Sequence, residues 1–249
     1  MPGVIESVTD DEAFEQPPIV LVLSGWSDGP LDELRLRCHH IDFVTVTIPT
    51  PPVGAAWLRN PYVAALVVLA GLTGSACELA AAVFPSSVGR AVKLGVVVLT
   101  LALARYLVAR LVRFAITRGV EEAKLHIARH RPDAIVGFSW GGGVVWELIS
   151  QGAWAGPALL LAPTVCALAK VAMKPPPWPT LPDGVHVDVV TPEFDSFCPK
   201  SQANLFSACG CHCYTVADHH PMLGEDTGVE IAALLRRAVP PAHDDYASS

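Results

Sequence analysis

Short runs of consecutive apolar residues recur along the chain, each closed by proline, glycine or a charged pair, with helix-length amphipathic stretches between them. Pro18-Ile-Val-Leu-Val-Leu-Ser24 is apolar on every position between its ends, which predicts a strand buried on both faces rather than one half exposed. Ile41-Asp-Phe-Val-Thr-Val-Thr-Ile48 is β-branched and stops at Pro49, as a strand does. Further strands are predicted at residues 134–138, 158–162, 185–190 and 211–216, and helices at 31–40, 120–130, 141–149, 202–207 and 228–238. Strands alternating with helices imply a mostly parallel sheet covered on both faces, an α/β fold. The proline-rich stretch 174–182 predicts a stiff, extended loop.

One segment breaks this rhythm. Residues 62–88 carry a single charge, Glu78, and Lys93 is followed by eleven uncharged residues, all apolar but Thr100, before Arg105. About 20 apolar residues cross a bilayer core, so the first run is long enough, while the second is shortened by Arg105 and Arg110. With a turn at residues 85–89, the segment reads as an apolar helical hairpin at about 61–112 inserted into a single domain spanning 17–239. Three arrangements stay open: two transmembrane helices, a monotopic hairpin, or a soluble lid. Arg105, Arg110 and Arg113 share a helical arc, as an interfacial stripe requires, or simply form a solvated face. With Arg59 they favour a membrane-associated protein whose α/β domain is cytosolic, although Arg90 and Lys93 in the turn pull the other way.

Composition sharpens this picture. Apolar residues make up 51% of the 249 and charged residues 16%, an excess concentrated in the hairpin. The net charge of −7 argues against nucleic acid as a partner, yet nine of the seventeen basic residues fall within 90–131, beside the apolar segment. Residues 1–16 are acidic and lack an apolar core, predicting a disordered leader rather than a secretory signal; residues 240–249 predict a flexible tail. Seven cysteines without recognisable spacing predict free thiols. Cys209, Cys211 and Cys213 share a strand face but spread over about 13 Å, too far to converge on one ion, so neither a metal nor a cofactor is expected.

The candidate chemistry lies at Gly137-Phe138-Ser139-Trp140-Gly141, between a predicted strand and a predicted helix. Glycines at both flanks fit a sharp turn that leaves no room for a Cβ and exposes the serine hydroxyl, while the helix start directs N–H groups, Trp140's among them, at a developing oxyanion. Ser139 is the expected nucleophile. Asp195, just past the strand 185–190, is the expected acid, ahead of Asp188, Glu193 and Asp218. His219, in the loop after the last strand, is the expected base, with His220 as its alternative.

These residues carry a resemblance. The span 18–238 resembles the α/β-hydrolase superfamily, and Ala217-Asp218-His219-His220-Pro221-Met222-Leu223 is similar to the Gly-Asp-His-Phe-x-Met-Leu run of its thioesterase branch. Asp195 to Pro199 matches that family's Asp-x-x-x-Pro. The resemblance implies hydrolysis of an acyl ester or thioester through an acyl-enzyme, with an oxyanion hole built from Trp140 and, by position in the loop 24–29, Trp26. Ser24 stands where many members have histidine, and Ala217 replaces a glycine. The apolar surroundings suggest a small-molecule or lipid-like acyl substrate. An inactive membrane-anchored interaction protein on the same scaffold, or an acyltransferase using the same residues, are the competing readings.

Overall fold

Each apolar run outside the hairpin becomes a strand: β1 (Ile19–Leu23), β2 (Asp42–Val46), β3 (Ala134–Phe138), β4 (Ala158–Leu161), β5 (Val187–Pro192) and β6 (His212–Val216). The structure is a computed structural model describing residues 16–49 and 60–239; Arg59, the tail, and the leader apart from Gln16 lie outside the described residues. All six strands pair in parallel in one sheet of order β2-β1-β3-β4-β5-β6. The order reverses between β1 and β3, so the crevice at their carboxyl ends is where a doubly wound sheet presents ligand-binding groups.

The continuous apolar strands serve two cores. Leu21, Leu23 and Ile135 pack with residues of the helices α3 (Ser86–His130), α4 (Trp140–Ser150), α5 (Val165–Ala172) and α6 (Ser201–Ala208). Val20, Val22 and Val136 turn to the other face, against α1 (Leu31–Arg37) and α7 (Glu225–Ala238). The proline-rich loop lacks regular structure and lies over α4, where the Pro177 carbonyl accepts the indole N–H of the buried Trp146 at 2.7 Å. Helix α5 has no counterpart among the predicted elements.

The apolar segment forms the expected hairpin between β2 and β3, made of α2 (Pro61–Val83) and the first half of α3. Its turn is tighter than predicted, only Phe84 and Pro85 separating the two helices. The larger difference lies in α3. The second apolar run and the helix expected at 120–130 are one continuous helix of 45 residues, roughly 65 Å long. No proline interrupts it, and it ends only where Arg131 turns left-handed (φ 47°) ahead of Pro132. From Ser86 to Val108 only Gly89 is buried, whereas Ala109, Leu111, Val112, Ala115, Val120 and Ala123 all pack on the domain. One helix is thus a free-standing arm at its start and a core element at its end.

Both arms contain an 18-residue window of mean hydropathy 1.9, of which 6% in α2 and none in α3 is buried. They are long and apolar enough to cross a membrane. The two arms are joined by a hydrogen bond between the Thr73 and Thr100 hydroxyls at 2.8 Å. Arg105 and Arg113 are not a solvated stripe: Arg113 donates to the Ala172 and Met173 carbonyls at 2.7 and 2.8 Å, and Arg105 to those of Lys170 and Val171. The two guanidinium groups take up the orphaned carbonyls at the end of α5 and tie the base of the hairpin to it.

Candidate active site

Ser139 is the single residue between the end of β3 and the start of α4, and it holds φ 52° and ψ −114°. A non-glycine residue there is strained and stays only if its neighbours fix it. The Ser139 N–H donates to the Leu161 carbonyl at 2.8 Å, and its own carbonyl accepts from the N–H and hydroxyl of Thr164, both at 3.2 Å. The end of β4 and the start of α5 therefore clamp the turn that presents the hydroxyl.

The Ser139 hydroxyl lies 2.8 Å from Nε2 of His220, whose Nδ1 lies 2.7 Å from Oδ2 of Asp195. An ionised carboxylate only accepts, so Nδ1 of His220 is the donor to Asp195, and the tautomer this selects leaves Nε2 with its lone pair toward the serine hydroxyl. Asp195 sits in the loop after β5 with its side chain fully buried, while the His220 side chain is 22% exposed. Its Oδ1 accepts the backbone N–H groups of Phe197 at 2.7 Å and Cys198 at 3.2 Å. Burial works against the charge of Asp195, but the His220 hydrogen bond and the two backbone donors outweigh it and hold its carboxyl below the usual carboxylate range. The buried thiol of Cys198 donates to the Ala162 and Pro163 carbonyls, and burial followed by the Asp195 charge pushes it far up, so it stays neutral.

A native value below the unfolded one means that ionised Asp195 stabilises the fold fully above the unfolded carboxylate's range, and that this contribution disappears as pH falls through the native value. Asp195→Asn, which removes a charged acceptor, is expected to lower stability by about 1.5–3 kcal/mol near neutrality. The gap from the parent should close in strong acid. Urea midpoints of both proteins across that range check it, and a gap unchanged down to the lowest pH at which the parent folds contradicts it.

Of the residues expected at the site, the structure joins Ser139 and Asp195 through His220, the alternative base, and not through His219. His219 is exposed, its ring tilted against that of Phe194 with centroids 5.5 Å apart, and the Ser139 hydroxyl meets His220 instead. The cause is a tight turn: Asp218 accepts the N–H groups of His219 and Gly224 at 2.7 and 2.8 Å, and the Met222 N–H returns to the His219 carbonyl at 2.9 Å. That turn sends His219 outward and His220 inward, between the rings of Phe138 and Phe197. The acids set aside earlier are engaged elsewhere: Glu193 pairs with Lys200 at 2.8 Å, Asp218 caps the turn, and Asp188 lies at the opposite end of β5.

Trp140 opens α4, so its N–H is among those with no acceptor inside the helix. Trp26 lies in the loop after β1, and the neighbouring Gly25 approaches Ser139 so closely that a Cβ there would stand 2.9 Å from the Ser139 Cβ. Both tryptophans, with Ser139 and His220, line a largely apolar cavity of about 340 Å³ whose walls include Val108 and Val112 of α3 and Leu168 and Val171 of α5. The sequence did not reveal these wall residues or Thr164. Valines on an apolar helix look the same whether they face lipid, core or substrate.

No protein-family model matches the chain, and no curated protein does. Solved structures do. A Thermus thermophilus protein is similar with a TM-score of 0.54 at 14% identity, covering 92% of each chain. A protein described as "putative hydrolase" from Agrobacterium vitis gives 0.52 at 12% identity over 90% of this chain and 89% of that one. Est1E from Butyrivibrio proteoclasticus gives 0.50 at 11% identity over 90% and 89%. With its all-parallel sheet, a strained serine after the third strand, an aspartate after the fifth and a histidine after the sixth, the chain has the α/β-hydrolase fold, carrying an apolar helical hairpin between its second and third strands.

Proposed function

We propose that the protein is a serine hydrolase that cleaves an acyl ester or thioester at a membrane. The observation that carries this reading is the unbroken series of hydrogen bonds from the Ser139 hydroxyl through His220 to buried Asp195. In the first half of the reaction the Ser139 oxygen attacks the acyl carbonyl while His220 Nε2 takes its proton. Asp195 holds the imidazole in the required tautomer and stabilises its cation. The N–H groups of Trp140 and Trp26 receive the oxyanion. His220 then returns the proton to the departing alcohol or thiol, leaving an acyl-enzyme. A water molecule, deprotonated by the same nitrogen, releases the acid and restores the serine.

The cavity supports an apolar acyl group. Among the described residues its polar side chains beyond Ser139 and His220 are Thr164 and the tryptophan rings, and Val108 and Val112 belong to the helix that continues into the hairpin. The exposed arms support membrane association: at ~1.5 Å per residue the 23 residues of α2 reach ~34 Å, enough for a ~30 Å hydrocarbon core. Arg105, Arg110 and Arg113 at the domain end of the hairpin favour a cytosolic catalytic domain. The inactive-scaffold reading would be favoured by histidines remote from Ser139 and lacking a carboxylate, which is not the arrangement of His220.

A fluorophosphonate probe applied to membrane and soluble fractions of cells producing the full chain tests both parts. Labelling is expected in the membrane fraction, resistant to high salt, and absent in Ser139→Ala. Folded protein that does not label, or a Ser139→Ala variant that still does, removes the hydrolase reading. Labelling found only in the soluble fraction removes the membrane.

A further inference from the structure

At the end of the sheet opposite Ser139, two histidines and a buried aspartate converge. Asp188 is the second residue of β5, His186 immediately precedes that strand, and His212, the first residue of β6, is the cross-strand partner of Asp188. Positions 186 and 188 share a face because side chains alternate along a strand, and the register brings His212 beside them. Nε2 of His186 lies 3.2 Å from Oδ2 of Asp188, and Nδ1 of His212 lies 3.6 Å from Oδ1. One ligand atom from each residue falls within 4.8 Å of the others.

We propose that His186, Asp188 and His212 form a binding site for one divalent cation of the zinc class. Bonds of about 2.0–2.2 Å in a tetrahedral arrangement put neighbouring ligand atoms roughly 3.3–3.5 Å apart. The two imidazoles approach the two oxygens of Asp188 at 3.2 and 3.6 Å, and all three ligand atoms lie within 4.8 Å of one another, so a small adjustment of the exposed rings closes the set on one ion. Two imidazoles and one carboxylate are a donor set that suits zinc and its first-row neighbours. A second observation points the same way: the Asp188 side chain is 3% exposed, yet its Oδ1 has no hydrogen-bond partner, an expensive condition for a buried carboxylate. A cation bonded to that oxygen would satisfy it. The imidazoles are 44% and 60% exposed, so ions reach the site from solvent and water can fill the remaining coordination position. Arg237, over the Tyr214 ring, lines the same cleft and offers an anionic fourth ligand a counter-charge.

The consequence concerns the edge of the sheet. β6 is the terminal strand, and the loops leaving β5 and β6 carry Asp195 and His220. A metal joining the starts of these two strands fixes the pair whose far ends hold the acid and the base. The site stayed hidden in the sequence because its ligands lie 24 and 26 residues apart on two strands, while the more conspicuous alternating cysteines face away from them.

The test uses the full chain, solubilised in detergent and stripped with a chelator. Zinc is titrated against a chromophoric competitor, and the melting temperature is followed with and without the metal. One equivalent is expected to bind and raise the melting temperature. His186→Ala and His212→Ala, both exposed enough to fold normally, should each weaken binding by roughly tenfold or more, since even outer-shell partners cost that much, and should abolish the thermal shift. His126→Ala, which breaks the stacked His126–His130 pair on α3, should change neither. The proposal is overturned if the parent takes up no zinc. It is equally overturned if either His186→Ala or His212→Ala retains the parent's affinity and thermal shift, because thiols or other histidines would then be the ligands.

Discussion

Replacing His220 by alanine is expected to lower turnover of any acyl substrate by about 10⁴- to 10⁶-fold, while replacing His219 changes it within about twofold. The two residues are adjacent and chemically identical, so the contrast isolates geometry. His220 Nε2 is the atom 2.8 Å from the Ser139 hydroxyl; without it that hydroxyl loses its side-chain hydrogen-bond partner among the described residues. The His219 ring lies outside, against Phe194, and its loss removes an exposed ring contact worth at most ~0.5 kcal/mol. Both variants should fold, because the loop is anchored by Asp218 rather than by either imidazole. The rate of fluorophosphonate labelling reads the result without knowledge of the natural substrate. Loss of labelling in His219→Ala with retention in His220→Ala would restore the histidine favoured by the sequence.

That difference shows where sequence patterns stop carrying information. The central strands were legible because burial on both faces demands uninterrupted apolar runs, and Ala134–Phe138 matches its predicted bounds, while the half-exposed edge strands β2 and β6 were read from their β-branched and alternating residues. The placement of Ser139 was legible because a glycine-flanked turn between strand and helix is written contiguously. Asp195 was legible as a carboxylate just beyond a strand end. The choice between His219 and His220 depends on how a tight turn rotates two neighbouring side chains, which neither composition nor spacing encodes. The same holds for α3: residues 94–104 and 120–130 carry different patterns because one part faces outward and the other packs on the sheet, and the continuity of the backbone between them leaves no pattern of its own.

The geometry also links the two parts of the chain that the sequence presents separately. Val108 and Val112 stand at the junction between the free arm of α3 and its buried half, and they line the cavity containing Ser139. Arg105, one turn before Val108, holds the end of α5, whose Leu168 and Val171 line the same cavity. The free arm, the lining of the cavity and the end of α5 are therefore joined through one continuous helix.

Gly141→Ala is expected to destabilise the protein by about 4 kcal/mol or more, a large share of the 5–15 kcal/mol available to an ordinary domain. The restriction is space. A Cβ at position 141 would stand 2.0 Å from the Leu23 carbonyl oxygen and 2.5 Å from its carbon, so α4 and the end of β1 could not keep their present contact. Backbone on both sides leaves no side chain to rotate away, and the whole helix must retreat from the strand on which the site is built. Gly25→Ala is the informative comparison: its added methyl meets the Ser139 side chain, at 2.9 Å from Cβ and 3.3 Å from Oγ, so it should reduce labelling more than melting temperature. Gly71→Ala, with nothing within 4 Å of the added carbon, should leave both unchanged or raise stability by up to ~1 kcal/mol through helix propensity. Thermal melts and labelling rates of the three variants separate the effects. A Gly141→Ala protein that melts and labels like its parent would mean that α4 does not press on β1, and the placement of Ser139 at the crevice between β1 and β3 would fall with it.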